Sequence, residues 1–295
     1  MMAFEFIRYE VADKIATITM ARPEKLNAVN GAMVREMMDA LGVADADDKV
    51  GAVIVTGEGR AFCAGADLSR GEDSFVAPDS DRLTSADGKV DYSNDAIREV
   101  GGRLALVLYN MRKPVIAAIN GAAAGLGATL ILPMDIRIAA EEARFGFVFA
   151  RRGMVLETAA SFFLPRIAGI SKSLEWCMSG RMVGAAEALE YGLVTAVVPQ
   201  SELLAEAKRV ARDIVDNAAP VSVALVRQML WRGLGMTHPM EAHRIESRGI
   251  YVRSRAADAK EGVSSFLQKR APDFPDRVSS DLPDFYPWWD EPEYS

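Results

Sequence analysis

Gly57-Glu58-Gly59-Arg60-Ala61-Phe62-Cys63-Ala64-Gly65-Ala66-Asp67 and, further along, Asn120-Gly121-Ala122-Ala123-Ala124-Gly125-Leu126-Gly127-Ala128-Thr129 are the two stretches on which the reading of this chain turns. Each directly follows a short apolar run, Gly51 to Thr56 and Pro114 to Ile119, of the kind that forms a buried strand. Small residues at a strand end let a ligand approach the backbone and leave N–H groups free. Two such N–H groups are what stabilises a developing oxyanion. Close packing of a strand against a helix uses the same small residues, so the pattern alone leaves both roles open.

Outward from these junctions, strands and helices alternate. Ile15 to Met20 and Asp135 to Ala140 read as further strands, and Met33, Met37, Met38 and Leu41 recur at helical spacing. So do Ile97, Val100, Leu104, Val107, Leu108 and Met111. Apolar strands joined by helices predict an α/β fold with crossover connections and a sheet covered by helices. After Thr158 strand signals nearly stop, and Ser201 to Gln268 is helical in pattern, broken at Pro220, Gly233, Gly235 and Pro239. The expected organisation is a core over residues 1–200, a helical region over 201–270 and an aromatic tail over 271–295 that drapes over a surface. Residues 69–95, rich in Asp, Ser and Gly, are longer than an ordinary connection and read as a lid-like insertion or a disordered one. No internal sequence repeat is visible.

Composition excludes several classes of function. Of 295 residues, 50% are hydrophobic and 25% charged, which places the chain among globular proteins. With 34 Lys and Arg against 41 Asp and Glu the net charge is −7, which disfavours nucleic acid and anionic membranes as partners. Only two cysteines occur, Cys63 and Cys177, too few for a disulfide framework or a cysteine metal site, so no metal and a reduced, cytoplasmic setting are expected. The start, Met1 to Glu10, lacks the pattern of a signal peptide, and no stretch reaches the ~18 apolar residues of a membrane span. His238 and His243 stand far from any Ser or Cys motif, which argues against a hydrolase triad. Gly121, Gly125 and Gly127 lack the spacing of a dinucleotide fingerprint.

The two junctions, together with Lys113 to Gly127, Ala143 to Phe147, Leu164 to Gly169 and Ala185 to Val194, resemble the crotonase, or enoyl-CoA hydratase/isomerase, superfamily. The likeness runs from about Phe6 to Pro272. It implies a spiral of ββα units with a helical trimerisation region, assembled as a homotrimer or a dimer of trimers. It also implies an acyl-CoA substrate, no separate cofactor, and an enolate held by two backbone N–H groups. Carried over, those donors fall on Ala66 and Leu126. The Ala64 carbonyl is expected to face the CoA adenine, with Leu68 lining the same channel. In Glu261-Gly262-Val263-Ser264-Ser265-Phe266-Leu267-Gln268-Lys269, Phe266 and Lys269 match CoA-contacting positions, although a solvated helix-end lysine is an equal alternative for Lys269.

The departure from the family pattern directs the chemistry. Two glutamates act in the family's hydratases, and here Thr129 and Phe149 stand in their places, on the expected wall of the substrate site. Neither supplies the acid and base that adding water across a double bond requires. One carboxylate remains nearby: Glu157, in Gly153-Met154-Val155-Leu156-Glu157-Thr158-Ala159-Ala160-Ser161, a segment expected to open the helix running toward Pro165. It resembles the glutamate segment of the peroxisomal type of Δ3,Δ2-enoyl-CoA isomerase, with Leu156 in place of a proline and Thr158 in place of a glycine. Moving a proton from C2 to C4 needs one base, so isomerisation is the expected reaction. Hydration, another enolate reaction, or a silent acyl-CoA-binding protein are the alternatives, and a carboxylate serving only a helix dipole is the alternative for Glu157. Burial among Val155, Leu156, Phe162 and Phe163 would raise its pKa and a helix N-terminus would lower it. Asp67 is a further candidate at the site, or a turn cap. Cys63 reads as a small buried residue, and Arg151 and Arg152 as a substrate anchor or a salt bridge between subunits.

Overall fold

The computed structural model describes residues 4–76, 83, 85 and 87–294. Of the lid-like insertion expected over 69–95, residues 77–82, 84 and 86 therefore lie outside the described residues; Gly71–Phe75 form a 3-10 turn.

Strands β1 (Ile7–Ala12) and β2 (Ile15–Met20) form an antiparallel hairpin. Its two-residue turn, Asp13 and Lys14, has φ of 51° and 62°, the twist that matches paired strands. Helix α1 (Gly31–Ala46) follows, its first turn capped by Asn30 Oδ1 accepting from the Met33 N–H at 2.8 Å. It buries Met33, Val34, Met37, Ala40, Leu41 and Ala44, the face predicted by their spacing.

Three strand pairs then repeat one path. β3 (Ala52–Gly57), β5 (Val115–Ile119) and β7 (Ile136–Ala140) join the large sheet, whereas β4 (Ala61–Cys63), β6 (Ala122–Ala124) and β8 (Arg144–Gly146), which follow them after a short turn, join a small one. The sheets run β1-β2-β3-β5-β7-β10 and β4-β6-β8-β9, with β9 at Met182–Gly184 and β10 at Ala196–Val198. Pairing is parallel except at β1/β2 and β8/β9. Every residue of β5 is buried, as expected for a parallel strand covered on both faces. Two ββ steps per layer, spaced by α2 (Val100–Asn110) and the four-residue α3 (Leu126–Thr129), give the spiral of ββα units. The repeat is architectural and leaves no sequence period. The strand signal does not end at Thr158: β9 and β10 are only three residues long, too short for an apolar pattern to register.

Helices α4 (Ala160–Ala168), α5 (Ile170–Ser179) and α6 (Ala185–Glu190) precede the C-terminal set α7 (Leu203–Asn217), α8 (Pro220–Gly233), α9 (Pro239–Arg253) and α10 (Ala257–Gln268). Pro220 and Pro239 are each the first residue of a helix, where a missing N–H costs nothing. Leu203, Ala207 and Ala211 of α7 pack on Ile54, Ile116 and Ile138 of the large sheet. Arg227 of α8, with a side chain 4% exposed, binds Asp135 at 2.8 Å and the carbonyls of Leu108 and Tyr109, which ties α8 to the end of α2. The tail lies on this corner. Trp289 stacks on the Arg232 guanidinium at 3.9 Å, and Arg232 sits 4.3 Å from the Tyr109 ring. Among the described residues no helix is long and apolar enough to cross a membrane.

Candidate active site

Because β4 and β6 are parallel neighbours, the segments leaving their C-terminal ends emerge side by side. Gly65, at φ 98°, turns the first segment, and a Cβ there would meet the Ala124 carbonyl at 2.7 Å. Gly127 on α3 would, with a Cβ, collide with the Cys63 carbonyl and stand 2.8 Å from the Cys63 Cβ. Glycine is therefore required for two different reasons, conformation at 65 and space at 127. This contact brings Ala66 and Leu126 to the same end of the small sheet. Among the described residues neither the Ala66 nor the Leu126 N–H donates one of the backbone bonds between elements, whereas their neighbours Asp67 and Gly125 donate to Val29 and Gly146. Two backbone donors are thus available for an acceptor.

Thr129 ends α3, fully buried, one helical turn from Leu126. Its hydroxyl donates to Glu157 Oε1 at 2.7 Å. Glu157 is partly buried, and burial pushes its pKa above the usual carboxylate range. The Thr129 bond opposes that shift, and the charge of Glu99 adds to it. The Thr158 hydroxyl is near enough to weaken the shift but is buried without a hydrogen-bond partner of ordinary geometry.

Three details differ from the sequence expectation. Glu157 does not open a helix, because α4 starts at Ala160; Thr158 and Ala159 come first, at φ 58° and 51°. These left-handed residues turn the chain where the isomerase pattern has a glycine, and the surroundings must hold a β-branched residue in an unfavourable region. The helix N-terminus consequently does not hold the carboxylate down, and burial wins. Val155 is exposed rather than packed on Glu157, while Leu156, Phe162 and Phe163 do join the core. Finally, the helix expected to run toward Pro165 continues through it, with Pro165 in the second turn, and ends at Ala168.

The other candidates separate. Ala64 and Leu68 are exposed on the first segment. Asp67 is held by Arg22 at 2.8 Å and accepts from the Ser69 N–H, which keeps its carboxyl below the usual range. It fastens the segment to the turn after β2. Phe149, partly buried, precedes the turn at Ala150–Arg152. Phe266 is 81% exposed near the end of α10, and Lys269 follows that helix in a left-handed conformation. No hydrogen bond or ion pair among the described residues links these two to the rest of the site. Arg151 donates to the Ser179 carbonyl within the chain, and Arg152 weakly to that of Val148. Burial pushes the Cys63 thiol up to about 12, which removes it as a nucleophile near neutral pH. His238 caps α9 through Nδ1.

Sequence reasoning missed Glu99 and Gly101. Glu99 sits at the N-cap of α2 and accepts from the Thr158 N–H at 2.9 Å. The available signal was the pair Gly101-Gly102 in the first turn of a helix, where glycine is unfavourable by ~1 kcal/mol unless space demands it.

The sequence model of the enoyl-CoA hydratase/isomerase family matches residues 10–277. An enoyl-CoA hydratase of Alternaria alternata, ACTT3, is 43% identical over 90% of this chain and 85% of its own length. The 1,2-epoxyphenylacetyl-CoA isomerase of Escherichia coli K12 is 33% identical over 92% of this chain and 98% of its own. The crystal structure of an enoyl-CoA hydratase from Bacillus anthracis, 29% identical, superposes with a TM-score of 0.82 over 92% of this chain and 99% of that one. With the spiral of ββα units and the paired strand-end junctions, these matches show that the chain belongs to the enoyl-CoA hydratase/isomerase family and is an enzyme of the crotonase superfamily.

Proposed function

We propose that the protein shifts the double bond of 3-enoyl-CoA thioesters to the 2-position, with Glu157 as the single base. The observation that carries this reading is the placement of Glu157 Oε1 at 2.7 Å from Thr129, on the same short helix whose first residue presents the Leu126 N–H. The thioester oxygen accepts from the Ala66 and Leu126 N–H groups, which stabilises the enolate formed when a C2 proton leaves. Glu157 takes that proton and returns it at C4. Its raised pKa suits both halves of the task, because a base nearer neutrality gives back a proton more readily than an ordinary carboxylate. Thr129 and Phe149 offer no second base for activating water.

Ala64 and Leu68 border the channel for the CoA moiety, next to Asp67. Phe266 and Lys269 reach CoA from α10, whose exposed apolar side chains, with Ile250 and Tyr251 of α9, suit a homotrimer or a dimer of trimers. The CoA moiety belongs to the substrate, and the scheme requires no metal or separate cofactor. A cytoplasmic location fits this chemistry.

The test gives the purified protein 3-hexenoyl-CoA and, separately, 2-hexenoyl-CoA. The expected result is formation of the conjugated thioester from the first and slow or no hydration of the second. Glu157→Gln should lower the isomerisation rate by on the order of 10²–10⁴-fold. Fast hydration without isomerisation would replace this reading by a hydratase, and tight binding without turnover by an acyl-CoA-binding protein.

A further inference from the structure

The carboxyl group of Glu157 has a second carboxyl for a neighbour, and the first turn of α2 is shaped to admit it. Gly101 is the pivot. A Cβ at that position would collide with Glu157 Oε2 and Thr158 Oγ1 and come within 3.0 Å of Glu99 Oε2. At Gly102 a Cβ would collide with Glu99 Oε1. Two successive helix-disfavouring glycines thus open the space in which Glu99 folds back over its own helix and meets Glu157. Neither has a positive φ, so backbone conformation does not explain them.

The polar surroundings are otherwise sparse. Glu157 is faced by the Thr129 hydroxyl from α3, the Thr158 hydroxyl of its own loop, Glu99 from α2 and, from β4, the buried Cys63 thiol. Glu99 receives the Thr158 N–H. No cation pairs with either carboxylate among the described residues: Arg98 turns to Asp95 and the Tyr294 ring, and Arg103 also takes Asp95. A like charge this close and unscreened by a cation raises the proton affinity of Glu157. Exposure differs across the pair, Glu157 being partly buried and Glu99 exposed.

We propose that Glu99 is a proton-exchange partner of Glu157, able to take over the proton that Glu157 removes from C2 and so to connect the base to solvent. The inference rests on the isomerase reading and deepens it. After Glu157 takes the C2 proton, its O–H bond breaks as an O–H bond forms on Glu99, and Glu99 exchanges that proton with water before the reverse transfer. No net proton is gained or lost. The consequence is partial wash-out of the migrating hydrogen: in D2O the product carries solvent deuterium at C4 in competition with direct return.

The experiment compares wild type with Glu99→Gln, which keeps an oxygen to accept the Thr158 N–H, and with Glu99→Asp, which keeps the charge. Circular dichroism and thermal melts establish folding. In wild type, 3-hexenoyl-CoA turned over in D2O should yield product with substantial C4 deuterium. In Glu99→Gln that incorporation should fall several-fold, and the acid limb of kcat/KM should move to lower pH, because a neighbouring negative charge is gone. Glu99→Asp should recover part of both effects. Unchanged incorporation and an unmoved limb in Glu99→Gln would overturn the inference. If wild type fails to isomerise, the isomerase reading fails separately. Titration of the Glu157 carboxyl carbon by NMR then decides the pair. A midpoint that drops in Glu99→Gln supports it, and one that stays overturns it.

Discussion

Replacing Thr129 by Val is the sharpest probe of what sets the basicity of Glu157. The substitution keeps the side-chain volume and removes the donor that lies 2.7 Å from Oε1. Burial and the Glu99 charge, both of which raise the pKa, remain in place. A hydrogen bond to a charged group is worth ~1.5–3 kcal/mol. At 1.36 kcal/mol per pKa unit, its loss should raise the pKa by about one to two units. The lower end is expected, because the protonated carboxyl also loses a partner. The assay is NMR titration of the Glu157 carboxyl carbon, with the pH profile of kcat/KM beside it. Glu157 acts as a carboxylate, so a higher pKa moves the acid limb to higher pH and lowers the rate below that limb. A midpoint that stays within about 0.3 units of wild type, or falls, would refute the idea that Thr129 stabilises the charged base.

Other outcomes follow from the packing. Gly127→Ala forces a methyl into the Cys63 carbonyl and should destabilise by at least ~1–3 kcal/mol, read as a lower melting temperature and weaker turnover. Arg227→Met strands Asp135 and several carbonyls beneath α8; a loss of about 3–5 kcal/mol is expected in urea unfolding. Thiol labelling of the native protein near pH 8 should be slow at both cysteines, whose thiols burial holds at about 12 for Cys63 and about 11 for Cys177. Rapid labelling should appear only on unfolding.

The long elements were legible because periodicity survives in them. The strands at Ile15–Met20, Ala52–Gly57, Val115–Ile119 and Ile136–Ala140 and the buried stripe of α1 follow directly from their side chains. The small sheet was not legible, since its strands are three residues each and Ala122–Ala124 carries no strand-favouring side chain. The junction motifs pointed to Ala66 and Leu126, and the one carboxylate in an apolar stretch pointed to Glu157. Glu99 stayed hidden, because it lies 58 positions from Glu157 and meets it only across the α2 turn.

By itself, the sequence determined the α/β alternation, the family through its junction motifs, and the presence of Thr129 and Phe149, neither of them a carboxylate, where the resemblance places the hydratase glutamates. Those are properties of residue type at a position, and they persist whatever the neighbours do. Only the tertiary structure decided the protonation balance of Glu157. Whether a helix terminus, a threonine hydroxyl, burial or a second carboxyl dominates depends on distances of a few ångströms. The left-handed turn at Thr158 and Ala159 takes Glu157 out of the helix, and the glycines of α2 let Glu99 in.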